Sequence, residues 1–245
     1  MTASPDLSII IPVYNEATRI DRNIAEIVAF FDRFSAGCPC EIIFVNDGST
    51  DSTLDVLRKH IGGRPNCRIV SYDKNRGKGH AVRQGILAAN GSWSAFVDID
   101  LAVPLAEFER ALPHMHGGDY AVILGSRRMA GSSILVAESF ARRFFGEGYR
   151  WTSRMFVPEV TDFTCGYKLF RRDAAQRIFQ AARIDRWAFD TEIIYLAKRF
   201  GFAILQLPVP WSHDVDSRVR IFRDVMRSLH ELALIVWYRL TGAYR

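Results

Sequence analysis

Residues 95–104 have the sequence AFVDIDLAVP, an apolar run that ends in Asp98, Ile99 and Asp100. The run Trp93–Val97 predicts a buried strand, and burying a carboxylate beside it is costly unless the charge is paired or bound to a metal. Asp98 and Asp100 are two residues apart, so in an extended chain their side chains lie on the same side. Two such oxygen ligands suit Mg²⁺ or Mn²⁺ beside a phosphate group. The alternative is a merely acidic loop after a strand.

The chain around this stretch alternates between short apolar runs and segments with helical spacing. Alternating strands and helices form right-handed βαβ units and a mainly parallel central sheet flanked by helices, which is the fold class we expect. The predicted strands are Leu7–Val13, Glu41–Val45, Arg68–Tyr72, Trp93–Val97, Tyr120–Gly125, a short strand within Thr161–Arg171, and Ala203–Val209. The predicted helices are Asn15–Phe34, Leu54–His60, His80–Ala89, Pro104–His114, Ile134–Phe156, Ala174–Ala182 and Ala188–Phe200.

Polar sequences follow five of the predicted strands: PVYNE, NDGSTD, NRGKG, DID and GSRR. Ligands of parallel α/β sheets bind at the carboxyl ends of the strands, so five polar clusters at one edge indicate a binding site. Asp47 either forms a turn with the following glycine or accepts hydrogen bonds from a base or ribose. Lys78, at a helix start, either meets a diphosphate together with the helix N-terminus or is a solvated lysine. NRGKG lacks the P-loop pattern, which argues against an ATPase.

The composition is that of a globular protein. The 245 residues allow one large α/β domain, and the fractions of 49% hydrophobic and 24% charged residues are ordinary. A net charge of +5 without an arm of consecutive Lys or Arg does not indicate nucleic acid, whereas anionic lipid or a phosphorylated substrate would fit. Cys38 and Cys40 are too close for an easy disulfide, and no signal peptide is evident, so we expect a cytosolic, reducing compartment. The sequence contains no run of 18 apolar residues, so no segment is predicted to span a membrane.

Two segments are candidates for membrane contact. We assign 1–218 to a catalytic domain and 219–245 to a C-terminal amphipathic helix, which either packs on that domain or lies on anionic lipid. The apolar residues predicted to share one face of this helix are Ile221, Val225, Leu229, Leu232, Val236 and Leu240. The helix predicted at Ile134–Phe156 is the second candidate, with core packing as its alternative; its aromatic residues include Phe140, Phe144, Phe145, Trp151 and Phe156.

Seven motifs together resemble the family-two glycosyltransferases: SIIIPVYNEA, FVNDGSTDST, NRGKGHAVRQG, FVDIDLAVP, GSR, TDFTCGYKLF and RWAFDTEI, in that order. The similarity is greatest to the polyprenyl-phosphate sugar transferases, in particular the dolichyl-phosphate glucosyltransferase and mannosyltransferase branches. The resemblance implies a GT-A fold, a nucleotide-sugar donor, a divalent cation (Mg²⁺ or Mn²⁺) and an inverting transfer. Some relatives carry transmembrane helices, and none is evident here. We therefore expect peripheral contact with the cytoplasmic face of an anionic membrane.

The resemblance also implies roles for individual residues. The nucleotide-sugar donor would contact Pro12, Tyr14, Glu16, Val45, Asp47, Lys78, Asp98 and Ile99, and the metal would be held by Asp98 and Asp100. The acceptor phosphate would be bound by Arg127, Lys168 and Arg218. The catalytic residues would be Asp100, Arg127, Asp162 and Lys168. Asp162 is either a general base or a group that orients Lys168.

Three functional hypotheses remain open at this point. The first is transfer of a hexose to a polyprenyl or dolichyl phosphate, with UDP-glucose favoured as the donor and GDP-mannose second. The second keeps the fold but moves the sugar to a soluble sugar or glycan, which would require a convincing general base. The third is a nucleotide-sugar-binding or membrane-scaffold protein without turnover, and the presence of Asp98, Asp100 and Lys78 argues against it.

Overall fold

The computed structural model describes residues 4–132, 140–212 and 221–244; side chains are described from residue 146 in the second range and from residue 226 in the third. These residues form a seven-stranded sheet in the order β3-β2-β1-β4-β6-β5-β7. The strands are β1 (Leu7–Val13), β2 (Cys40–Asp47), β3 (Cys67–Tyr72), β4 (Trp93–Val97), β5 (Val122–Ser126), β6 (Tyr167–Arg171) and β7 (Ile204–Pro208).

Helices cover both faces of this sheet. They are α1 (Ala17–Phe34), α2 (Thr53–Ile61), α3 (Lys78–Ala88), α4 (Glu107–His116), α5 (Phe140–Arg154), α6 (Arg172–Ala181), α7 (Phe189–Arg199) and α8 (Ile221–Leu240). Within the described ranges, none of these helices has the length and hydropathy needed to cross a membrane.

The isoleucine run of β1 explains why the sheet is covered on both sides. Ile10 packs in one apolar cluster with α3, α6, α7 and α8, whereas Ile9 and Ile11 pack in a second cluster with α1, α2 and α4. All three residues are fully buried, because successive side chains of a strand point to opposite faces. The prediction of a mainly parallel sheet flanked by helices is confirmed.

Strand β6 is the exception to the parallel arrangement. It pairs antiparallel with β4 on one side and with β5 on the other, whereas every other pairing of the described sheet is parallel. Its amino end therefore lies at the edge where the other strands have their carboxyl ends. The segment TDFTCGYK, which leads into β6, is thus brought beside the polar clusters that follow the other strands.

Two predicted helix starts are wrong for local reasons. Asn15 adopts a left-handed φ of 54°, so α1 begins at Ala17 rather than at Asn15. The residues after Pro104 form a turn in which Glu107 N–H donates to the Pro104 carbonyl, and α4 begins only at Glu107. Pro104 therefore lies in a turn that precedes α4 and not in the first turn of that helix, where it was predicted.

Among the described residues of the apolar face predicted for the C-terminal helix, only Leu232 packs inward. The side chains of α8 that pack inward are Ser228, Glu231, Leu232 and Ile235, whereas Leu229, Val236 and Leu240 are exposed. Ile221 and Val225 lie among residues whose side chains are not described. Leu232 and Ile235 belong to the same cluster as Ile10 of β1. The helix is thus packed into the core, while the boundary placed at residue 218 stays a prediction.

Candidate active site

The carboxyl ends of the parallel strands and the amino end of β6 form one edge, where the predicted site residues of β4, β5 and β6 meet. Asp98 follows β4, Arg127 follows β5, and Lys168 lies at the start of β6. Phe96 of β4 is paired with Lys168, which is in turn paired with Leu124 of β5. The sheet register therefore fixes where these three strands present their polar groups.

Asp98 is held between a cation and a glycine. Its Oδ1 forms an ion pair with Lys78 Nζ at 2.6 Å. Its Oδ2 lies close to Gly166, because a Cβ built on that glycine would be only 2.2 Å from this oxygen. Burial lowers the pKa of Lys78, but the carboxylates of Asp98 and Asp190 outweigh burial and raise it. Lys78 is therefore a cation at the start of α3, and the absence of a side chain at Gly166 is a condition for the position of Asp98.

Asp100 lies at the turn that follows. Its Oδ1 accepts the Ala102 N–H at 3.1 Å, and Leu101 between them adopts a left-handed φ of 53°. Such a φ is rare for a bulky residue and costs of order 1–2 kcal/mol. Contacts with the surrounding structure must therefore stabilise this turn, which contains the Asp100 carboxylate and lies at the edge of the sheet.

The two carboxylates have the chemistry of a partial cation site. Burial and the neighbouring charge of Asp98 raise the pKa of Asp100, because two like charges close together disfavour ionisation. A divalent cation would relieve this repulsion. No group of three or more His, Cys, Asp or Glu side chains suited to a metal occurs in the part of the chain that the structure describes. Asp98 and Asp100 therefore fit a cation that takes its remaining ligands from a diphosphate and water, as Mg²⁺ usually does.

Arg127 and Asp162 form an ion pair in which the carboxylate is buried and the guanidinium is partly exposed. Arg127 donates from Nε and Nη2 to the two oxygens of Asp162, at 2.7 and 2.9 Å, and also from Nη2 to Thr164 Oγ1. Its guanidinium stacks over the Trp211 ring at 5.2 Å. Burial alone would raise the pKa of Asp162, but the hydrogen bonds and charge of Arg127 outweigh it and lower the pKa. Asp162 therefore orients Arg127, and not directly Lys168, in this structure.

Lys168 is almost completely buried, with 1% of its side chain exposed. Its Nζ donates to Asp190 Oδ1 and to the Cys165 carbonyl, both at 2.6 Å, and lies 5.1 Å from the centre of the Phe96 ring. Burial raises the pKa of Asp190, and the positive charges of Lys168 and Lys78 only partly offset this. The role of Lys168 at an acceptor phosphate stays a prediction, since the structure places its ammonium group between two internal partners.

Asp47 organises the turn that carries Lys78. Its carboxylate accepts hydrogen bonds from Asn75 Nδ2 at 2.7 Å and from the N–H groups of Arg76 and Gly77, both at 2.8 Å. Asp47 is 3% exposed, so these bonds satisfy a buried charge. Its direct contact with a nucleoside stays a prediction, and the structure adds a second role in shaping NRGKG.

The remaining residues predicted for the donor lie on β1, β2 and the turns that follow β1 and β4. Pro12 and Val45 are adjacent across the two strands. Tyr14 is 42% exposed, which leaves its ring available for stacking. Glu16 is paired with Arg19 at 2.9 Å, while Ile99 is buried and its carbonyl accepts Asn23 Nδ2. Their contacts with a donor stay predictions.

The sequence matches the family model "Glycosyl transferase family 2" over residues 8–179. The chain belongs to this family. The matched range contains every predicted site residue except Arg218, which lies outside the described residues. The chain is therefore a glycosyltransferase, and the sequence-based assignment to family two is confirmed.

Proteins named dolichyl-phosphate beta-glucosyltransferase are among the relatives of this glycosyltransferase. The one from Dictyostelium discoideum is 34% identical and aligns with 94% of this chain and 76% of its own length. The one from Drosophila melanogaster is also 34% identical, over 99% of this chain and 78% of its own. The human protein is 30% identical, over 98% of this chain and 77% of its own.

Solved structures of similar fold confirm that this glycosyltransferase has the GT-A fold. A mannosyltransferase from Pyrobaculum calidifontis, in complex with GDP-Man and Mn²⁺, has a TM-score of 0.60 at 20% identity. The similarity covers 89% of this chain and 59% of that one. Glucosyl-3-phosphoglycerate synthase from Mycobacterium tuberculosis, in complex with Mn²⁺, UDP and phosphoglyceric acid, has a TM-score of 0.66 at 18% identity. There the similarity covers 97% of this chain and 79% of that one.

Some residues of the glycosyltransferase site were not predicted from the sequence. Asp190, the partner of Lys168, lies in the motif RWAFDTEI, whose acidic residue at a helix start was a usable signal. Trp211 stacks on Arg127 from a turn after β7, and Asn75 holds Asp47 from the NRGKG turn. Asn75 belongs to the polar cluster NRGKG, but its partner Asp47 could not be inferred from that motif, and Trp211 lies in none of the motifs.

Proposed function

We propose that this glycosyltransferase moves glucose from UDP-glucose to a polyprenyl phosphate such as dolichyl phosphate, by a metal-dependent, inverting displacement. The observation that carries the proposal is the set of dolichyl-phosphate beta-glucosyltransferases that align with nearly the whole chain at 30–34% identity. GDP-mannose is the second choice of donor, since no single residue of the nucleoside region distinguishes the two bases.

The pairing of charges at the site supports a phosphate acceptor. A lipid phosphate has an anionic oxygen near neutral pH, so it needs cations to approach an anionic donor more than it needs a base. Arg127 at the end of β5 and Lys168 in β6 supply positive charge at this edge. Asp162 is a poor base, because its paired carboxylate has a lowered pKa. Its proposed role is to fix the orientation of the Arg127 guanidinium.

Asp98 and Asp100 would hold Mg²⁺ or Mn²⁺ on the donor. When bound, the cation supplies positive charge that stabilises the leaving nucleoside diphosphate. Lys78, at the start of α3, lies beside Asp98 and would contact the same diphosphate together with the helix N-terminus. Pro12, Val45 and the exposed ring of Tyr14 would bind the base and ribose.

Membrane contact is proposed for the outer face of α8. Met226, Leu229, Ala233, Val236, Trp237 and Leu240 recur at spacings of one to four residues that place them on one face, and all are exposed. Trp237 and Leu240 are 61% and 77% exposed. Since the opposite face of α8 already packs on the core, this second apolar face is suited to lie in a lipid interface, and Arg227 and Arg239 to meet anionic headgroups.

Helix α5 adds to the proposed membrane surface. It packs against α8 and exposes Trp151 by 71%, and Met155, the residue after its end, is 69% exposed. Phe156 instead packs edge-on against Tyr195, so it belongs to the core, and the side chains of Phe140, Phe144 and Phe145 lie outside the described residues. The proposed location of the enzyme is the cytoplasmic face of a membrane.

One observation favours the second candidate, transfer to a hydroxyl group of a soluble sugar or glycan. Asp190 is a buried carboxyl with a raised pKa, which is a property of general bases. Its Oδ1 is, however, occupied by Lys168. The base role would require that pair to open when the acceptor binds.

The test compares two lipid acceptors that differ only in the phosphate with a soluble glucoside. Purified protein with labelled UDP-glucose and Mn²⁺ is offered dolichyl phosphate, unphosphorylated dolichol of the same length, or a soluble glucoside. Labelling of dolichyl phosphate alone is the expected result. Labelling of the glucoside, with loss of that activity in Asp190→Asn, would replace the proposal with the second candidate.

A further inference from the structure

The loop of residues 183–188, here called the bridging loop, contacts the turn that carries Lys78 and leads into α7, which carries the partner of Lys168. Its Asp185 carbonyl accepts the His80 N–H at 2.9 Å, in the first turn of α3 that begins with Lys78. A Cβ at Gly77 would lie 2.6 Å from that same carbonyl oxygen. The loop therefore packs directly on the turn that places Lys78 beside Asp98.

The far end of the bridging loop leads into α7. Ala188 is the residue before α7, and Asp190 is the second residue of that helix. Asp190 in turn holds the ammonium group of Lys168 at 2.6 Å. A displacement of the loop would therefore move the partner of Lys168 as well as the support of Lys78.

Two buried carboxylates hold this loop at its two ends. Glu192 of α7 accepts the N–H groups of Arg183 and Ile184, both at 2.9 Å. Glu231 of α8 accepts the Ala188 N–H, also at 2.9 Å. Ala188 is the N-cap residue of α7, so Glu231 accepts from a distant helix the N–H that the third helical residue accepts in a capping box.

The C-terminal segment supplies a further contact. The Tyr244 hydroxyl donates to Glu192 Oε1 at 2.6 Å, and Tyr244 is 1% exposed. Glu231 is 7% exposed and belongs to the inward face of α8. The outer face of the same helix carries the exposed apolar residues proposed to contact lipid. The segment thus touches the support of the active site with one side and solvent with the other.

We propose that Glu231 is a positioning residue, which holds the start of α7 through the Ala188 N–H and thereby keeps Asp190 and Lys168 in their working arrangement. The C-terminal helix is then part of the active-site scaffold and not an appended anchor. The connection to lipid rests on the proposed function, whereas the positioning of Asp190 does not depend on which acceptor is used.

The test uses Glu231→Ala and Glu231→Gln, with His230→Ala as the matched control on the exposed side of the same helix. Burial raises the pKa of Glu231, so the neutral amide of Gln suits its site and keeps an oxygen acceptor. Transfer kinetics, thermal stability, flotation with anionic liposomes and amide hydrogen exchange are measured for each. Exchange is followed in peptides that cover residues 75–80 and 183–190.

The expected result is a loss in kcat of about tenfold or more in Glu231→Ala, with flotation unchanged and most of the rate restored in Glu231→Gln. Amide exchange should rise in both peptides, and His230→Ala should match the wild type. In an Asp190→Asn background the same Glu231 substitution should cost less than about threefold, because the interaction through which it acts is already lost. If Glu231 had only a structural role, the fold losses in rate caused by the Glu231 and Asp190 substitutions would multiply in the double variant.

Three results would overturn the inference: full activity of Glu231→Ala, exchange that rises only within α8, or independent effects of the Glu231 and Asp190 substitutions. If Glu231→Ala does not fold, Glu231→Met, which keeps a side chain of similar length but removes the acceptor of the Ala188 N–H, provides the same exchange comparison. Unchanged exchange in residues 183–190 of that variant would also reject the inference. Failure of the proposed function can be distinguished from failure of this inference. In the first case the wild type would not label the lipid, and the exchange measurements would still decide the role of Glu231.

Discussion

The substitution Gly166→Ala should inactivate the enzyme by moving Asp98. A Cβ at residue 166 would lie 2.2 Å from Asp98 Oδ2, whereas an ordinary contact begins at 3.4 Å, so the carboxylate must shift by about 1.2 Å. A misplacement of about 1 Å can cost on the order of 100-fold in rate. We therefore expect a fall in kcat of roughly that size, together with weaker activation by Mn²⁺.

Gly148→Ala is the matched control, because no atom in the described part of the chain lies within 4 Å of a Cβ at that position of α5. It should keep full activity and gain about 0.5–1 kcal/mol of stability, as alanine in a helix does relative to glycine. Initial rates across a Mn²⁺ titration and thermal unfolding are measured for both variants. Wild-type rates in a folded Gly166→Ala protein would show that Asp98 need not occupy this position, and would refute the reasoning.

Three further predictions concern the metal, the pair of Arg127 and Asp162, and the outer face of α8. Asp98→Ala and Asp100→Ala should each lower transfer by about 100-fold or more while the protein stays folded, as measured by initial rates and circular dichroism; near-normal turnover in either would remove it from the metal site. The lowered pKa of Asp162 means that its pair contributes stability above the unfolded pKa and loses it as the pH falls through the folded pKa. Urea unfolding at pH 5 and pH 3 should therefore show a larger loss for the wild type than for Asp162→Asn, and equal losses would count against the pair. Trp237→Glu should weaken binding to anionic liposomes by about tenfold, since burying a large apolar side chain contributes about 1.5–3 kcal/mol. Lys59→Gln, which lowers the net charge by the same single unit on the exposed side of α2, should leave that binding much less affected, and similar losses in both would indicate a charge effect alone.

The strands were the part of the fold most readily predicted from the sequence. Runs such as LSIIIPV are apolar at successive positions, which occurs when both faces of a strand are covered. The antiparallel direction of β6 was not predictable, because it is set by pairing with β4 and β5 and not by its own residues. That direction nevertheless decides the site, since it brings Asp162 and Lys168 to the edge where Asp98 lies.

The inward face of α8 was not predicted from the sequence, because the helix carries apolar residues on two faces. Periodicity identifies an apolar stripe but does not say which one meets the core. The inward face of α8 also contains Glu231, a charged residue that a pattern of apolar residues excludes, and its burial is explained by the Ala188 N–H. Buried carboxylates that satisfy distant backbone groups are recognisable only when the chain is folded.

The predicted site was most complete where each residue follows its own strand. Asp98, Arg127 and Asp47 lie at strand ends and could be placed from the order of the motifs. The partners that decide their chemistry could not, because Asp190 and Trp211 reach the site from elements far along the chain. The sequence therefore predicted which groups are present, and the structure shows which charges are paired.

The most direct test of the central claim is a transfer assay with two labelled donors in parallel. Purified protein, a polyprenyl phosphate in detergent and Mn²⁺ are incubated with labelled UDP-glucose or GDP-mannose, with and without EDTA, and the label in the organic phase is counted. Label from UDP-glucose should enter the organic phase, disappear with EDTA and return when Mn²⁺ is added in excess. Label that enters only from GDP-mannose, persists with EDTA, or never reaches the lipid would contradict the central claim.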